Sequence, residues 1–288
     1  MKDIAIQTAS RAGDRKLNVL REYLQNYILF LTQKTGMSPS LYFVGGTALR
    51  FLYGIRRYSE DLDFAAAEDW DPAKFSAYIT KIKKELDRAG YSCRLAVKEE
   101  KTVQKGMIRF AGLLFELGLS PRKEQNLSIH IEIDTNPPRG WRGEKSIVDI
   151  HLPVLLQHYD RPSLYAAKLT ALFGRPYTKG RDVYDVFWFR SRWRELRPNY
   201  ELWNNGLAPD EPARSEAKMD ESNWLKTLKA RIEKLNWKEV ENDIRPFLEN
   251  PDDLVTFTKE NLLLLASEWG ETDSPIKIGE PTLRRKRP

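Results

Sequence analysis

Residues 41–64 read LYFVGGTALRFLYGIRRYSEDLDF and combine a glycine pair with two aspartates that lie two residues apart. Leu41–Val44 is an apolar run of residues that favour β-strands, so it predicts a short buried strand. Gly45 and Gly46 allow a sharp turn after that strand and a close approach of the backbone to a ligand. Thr47 is then expected to open a helix. The free N–H groups at a helix start, together with the helix dipole, favour an anionic group such as a triphosphate.

Asp61 and Asp63 predict the second half of the same site. Residues i and i+2 of a strand point to one face, with Cα atoms roughly 6.6 Å apart, so both carboxylates can bind a pair of divalent cations. Magnesium (Mg2+) is the expected metal, because the ligands are hard oxygens and the stretch contains no cysteine or histidine. The alternative is that the glycines only turn the chain and the two aspartates lie on a solvated strand edge.

A third carboxylate is expected, because two metal ions need more than two protein ligands. Residues 127–134, LSIHIEID, alternate apolar and polar side chains as a strand with one buried face does. Glu132 and Asp134 lie on the polar face of this predicted strand, and the residue pattern leaves both open as the third ligand. A solvated strand face without metal is the alternative.

Lys168 lies in a predicted helix over residues 163–173. On a helical wheel it falls between Leu164 and Leu172, so its ammonium group emerges from an apolar face. A lysine in that position is expected to meet a specific anion. The alternative is a lysine that extends from the edge of the packed face into solvent.

Residues 179–189, KGRDVYDVFWF, place Asp182 and Asp185 three residues apart on one face of a predicted helix. Asp182 is the candidate functional carboxylate, either as general base toward an attacking hydroxyl or as the partner that orients Lys168. It could instead cap the helix start or form a salt bridge with a neighbour such as Arg181.

Residues 161–197 contain nine basic and three acidic residues, an excess equal to the net charge of +6 of the whole chain. Aromatic residues are interleaved with the basic ones: Tyr177, Tyr184, Phe187, Trp188, Phe189 and Trp193. Phosphate contacts by the basic side chains and stacking by the aromatic ones would suit a single-stranded RNA end. The alternative is an amphipathic helix with a solvated basic face.

The composition is that of a soluble intracellular enzyme, and a cytoplasmic location is expected. The chain has 288 residues, 41% of them hydrophobic, which is enough for a sizeable core. No apolar run reaches the ~18 residues of a membrane span, and the N-terminus lacks the apolar core of a secretion signal. The single cysteine, Cys93, excludes an internal disulfide framework. His130, His151 and His158 have no metal-ligand spacing, and no chemistry is assigned to them.

Periodicity along the chain predicts two regions, a core over residues 1–150 with an N-terminal helix and a mostly helical region over residues 151–288. The predicted helices cover residues 14–35, 71–89, 163–173, 181–194, 224–235, 237–248 and 252–269. The predicted strands after the glycine turn cover residues 91–97, 102–110 and 127–133. Residues 196–223 are polar and interrupted by proline and glycine, which predicts an exposed loop. The final LRRKRP is expected to be a disordered basic tail.

Three motifs in this order, GGTAL with RYSEDLDF, then AKLTALFGRP, then KGRDVYDVFWF, resemble those of the AbiEii/AbiGii-type toxins, which include the MenT group. These toxins belong to the nucleotidyltransferase superfamily, whose signature is Gly-Ser, a spacer and Asp-x-Asp. Thr47 stands in place of the usual serine and keeps the hydroxyl. Thirteen residues separate it from Asp61, toward the long end of what the superfamily tolerates. The resemblance covers about half of the chain, from Phe43 to Phe189.

The resemblance implies an α/β nucleotidyltransferase (polymerase-beta-like) fold, with a mixed sheet flanked by helices and a helical C-terminal region on the other side of a cleft. It favours Glu132 over Asp134 as the third metal ligand and assigns Lys168 to the triphosphate. The remaining nucleotide-binding candidates are Gly45, Gly46, Thr47, Ser59 and Asp185. In some related toxins a serine at the place of Ser59 is phosphorylated, whereas the residue pattern alone favours a turn-capping serine there.

The activity implied by the resemblance is transfer of nucleotides from a nucleoside triphosphate to an RNA acceptor, the 3′ end of a tRNA, which arrests translation. A separately encoded antitoxin is the implied partner. Two other functions remain open from the residues. One is a nucleotidyltransferase that modifies a small molecule such as an antibiotic, which an acidic acceptor cleft would favour and the basic segment opposes. The other is a non-catalytic module that binds nucleotide or RNA.

Overall fold

A seven-stranded mixed sheet forms the centre of the protein, with strand order β3-β4-β5-β2-β1-β7-β6. The computed structural model describes residues 1–99, 102–207 and 218–267. The strands are β1 (Leu41–Val44), β2 (Leu62–Ala66), β3 (Cys93–Glu99), β4 (Val103–Phe110), β5 (Leu127–Asp134), β6 (Gly143–Asp149) and β7 (Pro153–Tyr159). β1 pairs with β7, and β2 with β5, in parallel; the other neighbours are antiparallel. The predicted α/β architecture with a mixed sheet is confirmed.

Helices flank the sheet and make up most of the C-terminal half. They are α1 (Lys2–Ser10), α2 (Lys16–Lys34), α3 (Gly45–Tyr53), α4 (Phe75–Arg88), α5 (Leu113–Glu116), α6 (Arg161–Gly174), α7 (Gly180–Arg192), α8 (Tyr200–Gly206), α9 (Trp224–Glu233), α10 (Trp237–Ile244) and α11 (Lys259–Leu265). α6 begins where the Asp160 carboxylate accepts a hydrogen bond from the Ser163 N–H at 2.8 Å. Among the described residues no helix is both long and apolar enough to cross a membrane.

One face of the sheet is apolar and the other carries the polar side chains that concern function. The isoleucines of β5, at positions 129, 131 and 133, are fully buried, and α2 packs against β5 while α4 packs against β3 and β4. The alternation of β5 therefore arises because only one of its faces enters the core. Glu132 lies on the opposite face, next to Asp63 of β2.

The C-terminal region is tied directly to the loop that precedes β2. The Tyr58 N–H donates to the Phe247 carbonyl at 2.7 Å, and the Glu249 N–H donates to the Arg56 carbonyl at 3.0 Å. This short antiparallel contact places the last third of the chain beside the aspartate motif, although about 190 residues separate the two segments in sequence.

Several elements differ from the sequence-based expectations. α1, α5, α8 and the β6–β7 hairpin were not predicted, and α8 lies inside the expected loop over residues 196–223. Within the described residues, the helix predicted over residues 252–269 is a 3-10 turn at Pro251–Val255 followed by α11. β6 is an edge strand whose side chains are mostly exposed, so it lacks the apolar alternation that identifies a strand. The predicted boundary at residue 150 lies in the turn of this hairpin, so the sheet continues to Tyr159. The basic tail lies outside the described residues.

The turn after β1 begins a helix two residues earlier than predicted, at Gly45 rather than Thr47. Gly45 has a φ of +79°, which side-chain-bearing residues rarely adopt. A Cβ atom at this position would also overlap the Asp63 carboxylate. Gly45 is therefore required both by the backbone conformation and by the close approach of an acidic side chain.

Gly45→Ala should lower the free energy of unfolding by more than the roughly 1–2 kcal/mol that left-handed backbone costs a side-chain-bearing residue. Gly36→Ala is the matched control, because Gly36 has the same φ of +79° and no atom within 4 Å of an added Cβ. Urea denaturation of both variants measures the difference. Adding Asp63→Ala to Gly45→Ala should recover only part of that difference, because the Asp63 Cβ would still lie 2.9 Å from the added Cβ. Equal losses at the two glycines would contradict a clash with Asp63.

Candidate functional site

A cleft of about 300 Å³ opens between the start of β2 and helices α6 and α7. Its lining consists of Gly46, Arg57, Ser59, Asp61, Asp63, Glu132, Lys168, Arg175, Lys179, Arg181 and Asp182. The three sequence motifs therefore meet at one place. The predicted site residues that do not line the cleft are Gly45, Thr47 and Asp185.

Three carboxylates, Asp61, Asp63 and Glu132, form an acidic wall on one side of the cleft. Asp63 and Glu132 are register partners on the parallel strands β2 and β5, and Asp61 directly precedes β2 on the same face. Burial and the neighbouring Asp61 charge raise the pKa of Asp63 to about 6. Burial also raises the pKa of Asp61, with the Glu132 charge adding to the effect. The acidic wall thus holds like charges that repel one another.

Two of these carboxylates contact neighbouring side chains on the same sheet face. Asp61 Oδ1 lies 3.3 Å from His130 Nδ1, and Glu132 Oε1 lies 3.3 Å from Lys105 Nζ. Within residues 1–99, 102–207 and 218–267, no three His, Cys, Asp or Glu side chains have the spacing of a formed metal site. Each contact uses one carboxylate oxygen, so the second oxygen of Asp61 and of Glu132 is left for a divalent cation.

His130 is a site neighbour to which the sequence alone assigns no chemistry. His130 and Glu132 lie on the same polar face of β5, and the pairing of β2 with β5 brings His130 beside Asp61. The alternation of residues 127–134 already indicates that His130 lies on the polar face of the strand. It does not indicate that His130 lies beside Asp61, because the sequence does not say which strand pairs with β5 or in which register.

Four cations, Lys168, Arg175, Lys179 and Arg181, form a basic wall that faces the acidic one. Burial and the neighbouring charges of Arg181, Arg175 and Lys168 lower the pKa of Lys179. The Arg181 guanidinium lies 4.0 Å from the ring centre of Phe247. Cations that are half-buried together favour the binding of a polyanion, because an anion removes their mutual repulsion.

Lys168 is held from behind by a buried network of alternating charges. Its Nζ lies 2.8 Å from Asp185 Oδ2 and 3.6 Å from Asp182 Oδ1. Arg57 donates two hydrogen bonds to Asp185, at 2.5 and 2.6 Å. Asp182 Oδ2 in turn lies 2.9 Å from Arg175 Nε. Lys168 is therefore directed toward the cleft by its helix and by two carboxylates.

Asp185 lies behind Lys168 and does not line the cleft. Its side chain is fully buried. Burial opposes ionisation of Asp185, but the Arg57 and Lys168 charges outweigh that effect and lower its pKa. Its observed contacts are with these two cations, and direct contact with a nucleotide stays a prediction. Asp185 is also a closer partner of Lys168 than Asp182, which was expected to orient it.

Gly46 and Thr47 help to position side chains that line the cleft. A Cβ atom at Gly46 would lie 2.6 Å from Arg57 Nη2 and 2.8 Å from Ser59 Oγ, so this glycine makes room for both side chains. Thr47 is fully buried, and its hydroxyl donates to the Asp61 carbonyl. Direct contact of Thr47 with a nucleotide stays a prediction; the hydrogen bond in the structure positions Asp61.

The basic segment over residues 161–197 does not form the surface that was predicted for RNA. Trp188 and Phe189 are 8% and 0% exposed, and Arg190 is 1% exposed. Arg190 Nε donates to the Leu265 carbonyl at 2.8 Å, which joins α7 to α11. The aromatic face of α7 packs into the core, because α6, α10 and α11 surround it. Within the segment, Lys168 and the stretch over residues 175–181 supply cations to the cleft.

Similarities to known proteins concern the family and the fold of this chain. A family model for the nucleotidyl transferase AbiEii toxin of a type IV toxin–antitoxin system matches residues 28–256. A search of curated proteins found no match. Among solved structures, JHP933 from Helicobacter pylori is similar, with 18% identity, coverage of 86% of this chain and 90% of its own, and a TM-score of 0.52. MenT4, a nucleotidyltransferase toxin from Mycobacterium tuberculosis H37Rv, is similar with 18% identity, coverage of 93% and 99%, and a TM-score of 0.50.

These structural likenesses concern the fold, and they confirm the nucleotidyltransferase architecture expected from the motifs. The family match begins in the middle of α2 and ends three residues before α11, so it contains every residue of both cleft walls. The chain therefore belongs to the AbiEii family of nucleotidyltransferase toxins.

Proposed function

We propose that this protein transfers nucleotides from a nucleoside triphosphate to the 3′ end of an RNA, a tRNA in the cell, and thereby blocks translation. The observation that carries the proposal is the cleft itself, in which an acidic wall suited to divalent cations faces a basic wall suited to a triphosphate. The reaction takes place in the cytoplasm, where triphosphates and tRNA meet. A separately encoded antitoxin, as expected in a toxin–antitoxin system, restrains the activity.

The basic wall binds the triphosphate. Lys179, Arg175 and Arg181 contact phosphate oxygens, and Lys168 places a compact charge at the centre of the cleft. Asp182 is flanked by Lys168 and Arg175, so we assign it to holding these two cations in position. Proton abstraction by Asp182, the other role considered for it, is disfavoured because its two carboxylate oxygens already contact Lys168 and Arg175.

The acidic wall has the donor set of a divalent-cation site. Asp61, Asp63 and Glu132 offer hard carboxylate oxygens on adjacent strands, and burial together with the Asp61 charge raises the pKa of Asp63 to about 6. Glu132 lines the cleft, whereas Asp134 accepts a hydrogen bond from the Asn136 N–H at 3.0 Å and does not. Bound Mg2+ would supply Lewis-acid activation of the attacking hydroxyl and charge neutralisation on the leaving pyrophosphate.

The family supports an RNA acceptor more strongly than the segment over residues 161–197 does. Burial of Arg190 and of the α7 aromatic residues weakens the argument from the basic segment against a small-molecule acceptor, so an antibiotic-type substrate is the second candidate. A non-catalytic module is disfavoured, because Asp61, Asp63 and Lys168 converge on one cleft. The following labelling experiment distinguishes the two catalytic functions.

Wild-type protein incubated with total RNA and each radiolabelled triphosphate in turn should label RNA of tRNA length at its 3′ end. The Asp61→Ala/Asp63→Ala variant should label none, because the cation ligands of the acidic wall are lost. Asp134→Ala is the matched control on the same sheet face and should retain labelling. RNA labelling by the double variant would contradict the site, and labelling of small molecules without RNA would establish the second candidate.

Asp63→Asn should make the metal-free protein more stable at neutral pH. The folded-state pKa of about 6 lies above the ordinary 3.8, so the ionised carboxylate costs stability that is absent below pH 4, grows through pH 4–6 and is complete above it. Urea denaturation in chelator should show a gain on the order of 2 kcal/mol at pH 7.5 and no gain near pH 4. Magnesium should stabilise wild type and Asp134→Asn but not Asp63→Asn. If Asp63→Asn is no more stable than wild type at pH 7.5, repulsion within the acidic wall is contradicted.

Lys179→Met should weaken triphosphate binding about tenfold to a hundredfold, the effect of one charge-assisted phosphate contact. The melting temperature should not fall, because the change removes a cation that is repelled by its neighbours. Lys229→Met, on the exposed face of α9, is the control and should change neither quantity. Titration calorimetry with a non-hydrolysable triphosphate measures affinity; unchanged affinity in Lys179→Met would remove Lys179 from the site.

A further inference from the structure

A stacked group of aromatic rings lies beside the cleft in the loop between β5 and β6. Trp141 lies 4.3 Å from Tyr42 and 5.2 Å from Tyr159, measured between ring centres, and it is nearly parallel to Tyr159. Tyr159 is buried beneath, whereas Tyr42 and Trp141 are half-buried. We call Tyr42, Trp141 and Tyr159 the aromatic platform.

Strand register places the aromatic platform on the same sheet face as the acidic wall. Tyr42 of β1 is the partner of Ala65 in β2, and Ala65 follows Asp63 by two residues. Residues two apart on a strand share a face, so Tyr42 and Asp63 lie on one surface with Cα atoms roughly 8 Å apart. The platform therefore lies within reach of the end of any chain whose terminal group reacts at Asp63.

Two cations lie on either side of Trp141 in the chain, and the Glu201 side chain lies close to Gly140 between them. Arg139 and Arg142 are exposed, and among the described residues neither guanidinium has an ion-pair or hydrogen-bond partner. Arginines left unpaired beside a half-buried tryptophan suit a ligand that has both negative charge and flat rings.

The backbone that carries these side chains is held in place. The Gly140 carbonyl accepts a hydrogen bond from Asn199 Nδ2 at 2.7 Å, and the Arg142 N–H donates to Ser163 Oγ at 3.1 Å. Asn199 is the N-terminal cap of α8, and Ser163 lies in the first turn of α6. Helices from the C-terminal half thus fix a loop of the sheet, so that Trp141 and its two arginines are arranged before any ligand binds.

We propose that the aromatic platform, with Arg139 and Arg142, is the binding site for the unpaired 3′ end of the acceptor RNA. Bases of a single strand stack against the half-buried rings of Trp141 and Tyr42, and the two arginines contact its phosphates. This inference rests on the proposed function, in that it presupposes an RNA acceptor. It replaces the segment over residues 161–197, whose aromatic side chains lie mostly in the core, as the source of base stacking.

Binding of a short fluorescent single-stranded oligoribonucleotide tests the site. Trp141→Ala should weaken binding roughly fivefold to a hundredfold, the effect of losing one stacked base. Arg139→Gln/Arg142→Gln leaves the aromatic packing intact and should lower the salt dependence of log affinity by up to about 1.4, since each single-strand phosphate contact contributes roughly 0.7. Triphosphate affinity should be unchanged in both variants, because the basic wall is intact.

The matched control is Phe115→Ala/Lys123→Gln, because Phe115 is 41% exposed and has Lys123 5.0 Å from its ring centre. This pair lies beyond the far end of β4 and should leave RNA affinity and its salt slope unchanged. If wild type labels and binds RNA but the Trp141 and arginine variants bind it equally well, the platform is overturned and the proposed function stands. If wild type neither binds nor labels RNA, the platform as an RNA site and the proposed function are both overturned. If the variants lose antitoxin binding and keep RNA binding, the platform is a protein-docking surface and the RNA assignment is overturned.

Discussion

The buried pairing of Arg57 with Asp185 is the interaction on which the geometry of the cleft depends. It joins the loop before β2 to helix α7 with two hydrogen bonds, and neither partner has more than a few per cent of its side chain exposed. Asp185 also holds Lys168, and Lys168 and Arg175 share Asp182. Each charge in this series is offset by its neighbours. Loss of one partner would leave an uncompensated buried charge, which typically costs about 3–5 kcal/mol.

The acidic wall and the basic wall each hold like charges close together. Burial and the Asp61 charge raise the pKa of Asp63, and burial and the neighbouring cations lower that of Lys179. Repulsion within each wall is relieved by a ligand of opposite charge, so divalent cations and a triphosphate would bind and stabilise the protein together. A cleft of this kind trades stability of the free protein for affinity toward its substrates.

The β5 alternation shows how much of the site follows from local pattern. The pattern of residues 127–134 identifies the strand, its buried face and the polar position of Glu132, and all three depend only on the period of a strand. The pairing with β2 that brings Glu132 beside Asp63 and His130 beside Asp61 is a contact between distant segments. Neither the parallel direction nor the register of that pairing is encoded in the eight residues themselves.

The basic residues show the same division more sharply. Arg190 and Arg175 have the same side chain and lie in the same charged segment, yet Arg190 is in the core while Arg175 lines the cleft. Trp141 is a single aromatic residue in a loop, and its sequence position alone predicts no role. Its contact with Tyr42, and the register that pairs Tyr42 with β2, place it on the same sheet face as the acidic wall.

The sequence by itself determined the family motifs, the glycine turn, the same-face aspartates and the main helices and strands, because spacing and residue type act over a few residues. Tertiary structure alone decided which charges are paired, which are buried and which face the cleft. Burial and pairing depend on helices and strands far apart in the chain, and they reverse the roles of chemically identical side chains.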